Sequence, residues 1–235
     1  MFKRLFSLAI LTLFALIPVG GLGQDAAELV LEDGVDGYEG TRDTTIYEES
    51  QNANGAGMGL FAGFTARGAQ RRALIAFDLA GVPDGAQVTE VELSLVVSRT
   101  QPGTIQLALH RLSADWGEGD VDAGGQEGTG GPARDGSATW RSNFHGSSSW
   151  DTLGGDFAAE PSATAEGRGN NSTVTFSGAG LVADVQAWVD GEADNFGWIL
   201  IGGSAGGTAK RFHSADGNAP EGQKPRLTIR YTAGS

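Results

Sequence analysis

The stretch Val88–Val97, VTEVELSLVV, decides the fold. Val91, Leu93 and Leu95 alternate there with Glu90, Glu92 and Ser94, so one face is apolar and the other meets water. That period of two is what a half-buried strand requires. Working outward, the same period is read at Glu28–Glu32 (ELVLE), Thr44–Tyr47 (TTIY), Arg72–Phe77 (RALIAF) and Ile105–Leu112 (IQLALHRL). Further strands are expected at Thr173–Phe176, Trp198–Ile201, Lys210–His213 and Arg226–Tyr231. Turn chemistry separates them, as in Pro83-Asp84-Gly85 and Ala215-Asp216-Gly217-Asn218. The natural home for such strands is an all-β antiparallel sandwich.

One segment departs from the period. Leu181, Val182, Val185, Trp188 and Val189 fall at i, i+1, i+4, i+7 and i+8, which predicts a short amphipathic helix ending near Asp190-Gly191. It reads as a crossover covering one open end of the sandwich, with Trp188 in the core. Gly117–Gly136 (GEGDVDAGGQEGTGGPARDG) is rich in glycine and acid and is expected to form neither strand nor helix. A second irregular region is expected from Arg141 to about Gly169. Long loops of this kind inside a compact domain point to function or mobility.

The chain begins with a positive MFKR, then an apolar run from Leu5 to Val19 interrupted at Pro18, then the small residues of GGLG. That is the grammar of a secretory signal peptide over residues 1–23, with the mature protein expected outside the cytoplasm. The run is short for a bilayer span, and no later stretch predicts a membrane anchor in the mature chain. Residues 24–235 read as a single domain. There is no cysteine, so disulfides and thiolate chemistry are excluded. Without Lys3 and Arg4, 14 basic residues face 29 acidic ones, a net charge of −15. Such a surface repels nucleic-acid phosphates and anionic lipid, and attracts cations.

Several short motifs, spread over nearly the whole mature chain, carry a family resemblance. They are Asp43-Thr44-Thr45-Ile46, Asn54-Gly55, Leu60-Phe61-Ala62-Gly63, the Arg72–Leu79 segment and Val82-Pro83-Asp84-Gly85-Ala86. His110-Arg111-Leu112, Asp115-Trp116, Ala138-Thr139-Trp140, Trp150 and Gly154-Gly155-Asp156-Phe157 follow in order. Val185 with Trp188, Asn195-Phe196-Gly197-Trp198, Phe212-His213-Ser214 and Pro225-Arg226-Leu227 close the pattern. The chain resembles the DNRLRE-domain family, which is similar to carbohydrate-binding module family 96. The resemblance implies a secreted sandwich of jelly-roll type that binds a polysaccharide, alginate in some relatives. Ser214-Ala215-Asp216 lacks the Arg and Glu that often follow that serine in the family.

No catalytic motif emerges. The serines lie in Gly/Ser-rich sequence and not on a strand-to-helix elbow, and His110, His145 and His213 form no closely spaced ligand pattern. His110 and His213 read as strand residues. His145 lies in a loop and is the one histidine taken as a site candidate; with Arg141 it is the nearest approach to a lyase pair. Among 29 acids no pair declares itself as a glycosidase dyad. The expectation is therefore a binding module and not an enzyme.

Sugar binding asks for flat aromatic faces and for amide or charged groups to meet hydroxyls. Trp116, Trp140 and Trp150 lie on or beside the long loops, near Arg141, Asn143 and His145, and form the expected ligand site. Lys210 and Arg211 would join Arg141 as charge partners for an acidic chain. The competing reading makes the tryptophans plugs at the sandwich edge. Calcium is the candidate cofactor, held by Asp33 and Asp36 with Asp43, or by Asp120 and Asp122 in the loop. The latter is no EF-hand, since position five is Gly124 and position 12 is not Glu. A structural or adhesive envelope protein is the alternative function, and a polysaccharide-cleaving enzyme a third.

Overall fold

The computed structural model describes residues 26–101, 103–203 and 206–234; the expected leader, residues 1–23, lies outside them. Among the described residues thirteen strands and one helix make an all-β antiparallel sandwich, in which a single sheet of eleven strands curls over on itself to enclose the core and β3 and β8 form a separate pair. In chain order the strands are β1 (Ala26–Leu31), β2 (Thr41–Tyr47), β3 (Asn52–Ala53), β4 (Gly59–Phe64), β5 (Gln70–Phe77), β6 (Gln87–Thr100) and β7 (Ile105–Arg111). They continue as β8 (Gly131–Pro132), β9 (Ala163–Gly167), β10 (Thr173–Ser177), β11 (Trp198–Gly202), β12 (Lys210–His213) and β13 (Arg226–Thr232), with helix α1 (Ala179–Val189) between β10 and β11. Among the described residues no helix is long and apolar enough to cross a membrane.

β6 is the spine. Its 14 residues pair with β13, itself flanked by β1, and with β10; its C-terminal end pairs with β12. β12 pairs in turn with β4, which bends into the hairpin with β5 and so joins the second layer, β2-β5-β11-β7-β9. The alternation read in VTEVELSLVV is realised: Val91, Leu93, Leu95 and Val97 are buried, while Glu90 is exposed and Glu92 and Ser94 are partly so. The apolar face packs on Ala73, Ile75 and Phe77 of β5, Leu107 and Leu109 of β7, and Trp198 and Leu200 of β11.

β5 and β11 do not alternate as expected, because the second layer is covered on both faces. Leu74, Ala76 and Ile199 point away from the main core into a second cluster with Ile46, Trp116, Trp140 and Trp150. Strands buried on both sides read as continuous apolar runs, which is what LIAF and WILI are. The loops after β7 supply the cover.

α1 forms where the 3.6-residue pattern places it. Leu181, Val185 and Trp188 are buried, and Trp188 meets Trp198 edge to face with ring centroids 4.7 Å apart. Gly191 ends the helix at φ 68°, a left-handed conformation that costs glycine nothing. Gln186 ties α1 to β6 by accepting from Val88 N at 2.7 Å. Buried Asp184 accepts from Trp198 Nε1 at 2.9 Å.

Four elements were not expected, the two-residue β3 among them. β4 (GLFAGF) is bracketed by glycines, which weaken a strand signal. β9 (ATAEG) lies inside the second irregular region. The glycine-rich loop, expected to carry no strand, contributes the two-residue β8, paired with β3.

Candidate functional site

The three loop tryptophans are not a sugar platform. Trp116 is fully buried, Trp140 and Trp150 are 8% and 5% exposed, and all three pack onto the outer face of the second layer. Trp116 Nε1 donates to Phe196 O and Trp150 Nε1 to Thr139 O, each at 2.9 Å, so their polar edges are also committed. The guanidinium of Arg42 covers Trp116 at 4.8 Å and that of Arg72 covers Trp140 at 4.6 Å. The expected site is corrected on this point: an indole face sealed by sheet and guanidinium has none to offer a pyranose ring. The plug reading holds.

Their polar neighbours are mostly structural. Asn143 Nδ2 donates to Asp115 O, and its Oδ1 accepts from Ser148 Oγ at 2.7 Å, which closes the loop. His145 is partly exposed, and its backbone N–H donates to Ser137 O. Arg141 is exposed, with its backbone held by Thr139 and Trp150. Lys210 is 1% exposed, and its ammonium donates to the carbonyls of Gln101 and Gly103 at 3.2 and 2.6 Å. It therefore serves the fold and not an acidic ligand. Burial pulls its pKa down.

Arg211, another expected charge partner, reaches a concavity. It lines a cleft of about 290 Å³ with Phe61 of β4, Arg71 of β5, Arg99 at the end of β6, Gln101, and Gln126 from the glycine-rich loop. Three arginines from three strands thus line one cleft, and the Arg211 guanidinium lies 5.9 Å from the centre of the Phe61 ring. They differ in freedom. Arg71 is 2% exposed, forks onto the Glu49 carboxylate, donates from Nε to Gly128 O at 3.1 Å and lies over Tyr47 at 4.8 Å. Arg211 Nη2 donates to buried Glu127 at 2.8 Å. Arg99 is exposed, and its side chain has no hydrogen-bond or ion-pair partner among the described residues.

The glycine-rich loop is ordered against this cleft. Glu127, at φ 58°, buries its carboxylate to accept from Met58 N and Arg211 Nη2, both at 2.8 Å. Its carbonyl accepts from the Tyr47 hydroxyl at 3.0 Å.

A second constellation lies at the free edge of β2. Carboxylate oxygens of Asp43, Glu118 and Asp216 fall within 4.8 Å of one another. Among the described residues β2 pairs with β5 alone, so N–H groups on its other edge need partners. Glu118 accepts from Asp43 N at 2.6 Å and Asp33 from Thr41 N at 3.1 Å. Gly55 makes this possible, since a side-chain carbon there would run into the Glu118 carbonyl. Asp43 itself is fully buried; Oδ2 accepts from Ala215 N at 2.7 Å, while Oδ1 is buried without a partner.

Burial, followed by neighbouring carboxylates, pushes the Asp43 carboxyl well above its usual range. Burial lifts Glu118 to about 7, opposed by its bond from Asp43 N. Burial and then Asp33 raise Asp216. Of the expected metal ligands, Asp43 belongs to this cluster and Asp33 adjoins it. Asp36 is exposed in a turn at φ 50° and is not among the clustered carboxylates. The loop pair is dispersed: Asp120 is paired with Arg134 at 2.8 Å, and Asp122 accepts from Gly124 N. Glu118 and Asp216 were not expected, since they lie 75 and 173 residues from Asp43 in the chain.

No protein-family model matches the sequence, and no curated protein matches it.

Proposed function

We propose that the chain is a secreted, non-catalytic polysaccharide-binding module whose cleft takes an acidic sugar chain. The observation that carries this reading is the Arg99 side chain at the cleft, unpaired among the described residues and sharing the lining with Arg211, on a protein of net charge −13. A local reversal of sign draws anions to one place on an otherwise repellent surface. Guanidinium matches a carboxylate with two parallel bonds, as a uronic acid would present it. Gln101 and Gln126 offer amides to hydroxyls, and Phe61 an apolar contact for a ring face.

Among the described residues the cleft lining holds no carboxylate, histidine or tyrosine to move a proton, which favours retention of a ligand over its cleavage. The leader-like start and the resemblance to carbohydrate-binding modules agree with this reading. Electrophoresis of the folded protein through gels cast with a polyuronate or with a neutral glucan tests it. Retardation by the polyuronate, weakened by salt and by Arg99→Ala, supports it. Equal mobility in both gels refutes it.

A further inference from the structure

We propose that Asp43, Glu118 and Asp216 hold a calcium ion that fastens the segment carrying Glu118 and the β12–β13 connection to the edge of β2. Acids gathered at a surface are commonplace, but Asp43 is a different case. It is interior to a strand and fully buried, and one of its two oxygens has no hydrogen-bond partner. Asp216, Glu118 and Asp33, all of its own sign, act on it, while the cations near the cluster, Arg42 and Lys224, act on Glu118 and Asp216. A buried, unpartnered carboxylate oxygen surrounded by further carboxylates is costly unless a positive charge joins it.

Geometry and ligand chemistry agree on the ion. Two oxygens bound to one calcium lie at most about 5 Å apart, since each bond is about 2.3–2.6 Å. The three carboxylates, within 4.8 Å of one another, fit inside that limit. An all-oxygen set selects a hard cation. Its members come from a strand and two loops and keep no regular spacing, which suits calcium's adaptable coordination better than magnesium's strict octahedron. Asp216 is exposed and gives the ion a way in, with water to complete the shell.

The consequence is structural. Glu118 opens the glycine-rich stretch that continues to Gln126 and Glu127 at the cleft, so the ion would anchor one end of the loop that Glu127 anchors at the other. The site needs no sugar to exist, so its test is independent of the ligand proposal.

Chelator-treated wild-type protein should be titrated with calcium chloride by calorimetry, and its thermal unfolding followed with and without the ion. One saturable site and a higher melting temperature with calcium are expected. Asp216→Asn, at the exposed ligand, should fold and lose at least about tenfold in calcium affinity, because the site loses a charged ligand. Asp43→Asn should abolish the calcium-dependent shift; if that variant fails to fold, the Asp216→Asn titration decides. No calcium heat and no shift for the wild type would overturn the proposal, as would unchanged affinity in Asp216→Asn. Equal binding of magnesium chloride would overturn the assignment to calcium.

Discussion

Replacing Glu127 with alanine removes the pin that holds the glycine-rich loop at the cleft. Its carboxylate is wholly buried, and both oxygens are used, one by Met58 N and one by Arg211 Nη2, each at 2.8 Å. Truncation strands an N–H and leaves the Arg211 guanidinium, only 17% exposed, without its counter-charge. Breaking a buried pair from one side costs about 3–5 kcal/mol. The partial exposure of Arg211 places the expected loss at the low end, about 3 kcal/mol, which for a domain of this size lowers the melting temperature by about 6–12 °C. Thermal and urea unfolding by circular dichroism measure it. Glu127→Leu combined with Arg211→Leu should recover much of the loss, because the double change removes both charges together. A loss for Glu127→Ala below about 1 kcal/mol, the range of an exposed pair, would refute the claim that this contact anchors the loop.

Trp116→Ala should cost about 3–5 kcal/mol in urea unfolding, as expected for a fully buried indole, yet leave glycan retention intact at temperatures where the variant is folded. His145→Ala should leave polyuronate retention unchanged, since the histidine lies outside the cleft lining; a loss would return the site to the tryptophan-bearing loops. Burial, then the nearby Arg211 charge, holds the His213 pKa below its usual value. The unfolded chain therefore binds the proton first, so stability is full above about pH 6.5 and falls as pH drops through that value towards the folded pKa. Urea midpoints across this range, compared with His213→Gln, should show a shallower acid slope in the variant.

What could be read in the sequence divides along physical lines. β6 and α1 were legible because each is buried on one face only, so burial writes its period directly into the residues. β4 was hidden because Gly59 and Gly63 dilute its apolar content, and a side chain at Gly59 would collide with Arg211. The tryptophans were assigned to the wrong face, although the clue was present: LIAF in β5 and WILI in β11 are apolar at both parities, which demands a cover for the outer face. The loops between β7 and β11 supply it, with Trp116, Trp140, Trp150, Phe157 and Phe196. The acidic cluster was half legible. An aspartate inside TRDTTIY is out of place in a buried strand and signals a special role, but nothing local in the chain announces Glu118 or Asp216 as its neighbours. The cleft was hidden for the same reason. Arg71, Arg99 and Arg211 come from three strands that become adjacent only when β6, β12 and β4 bridge the two layers.

The most direct test of a cleft that recognises acidic sugar chains is calorimetric titration of wild-type protein and Arg99→Ala with an oligouronate at low and moderate salt. Saturable wild-type binding that weakens with salt, and at least an approximately tenfold loss in Arg99→Ala, are predicted from the worth of a charge-assisted bond. Absence of wild-type binding, or equal affinity in the two proteins, would contradict the account.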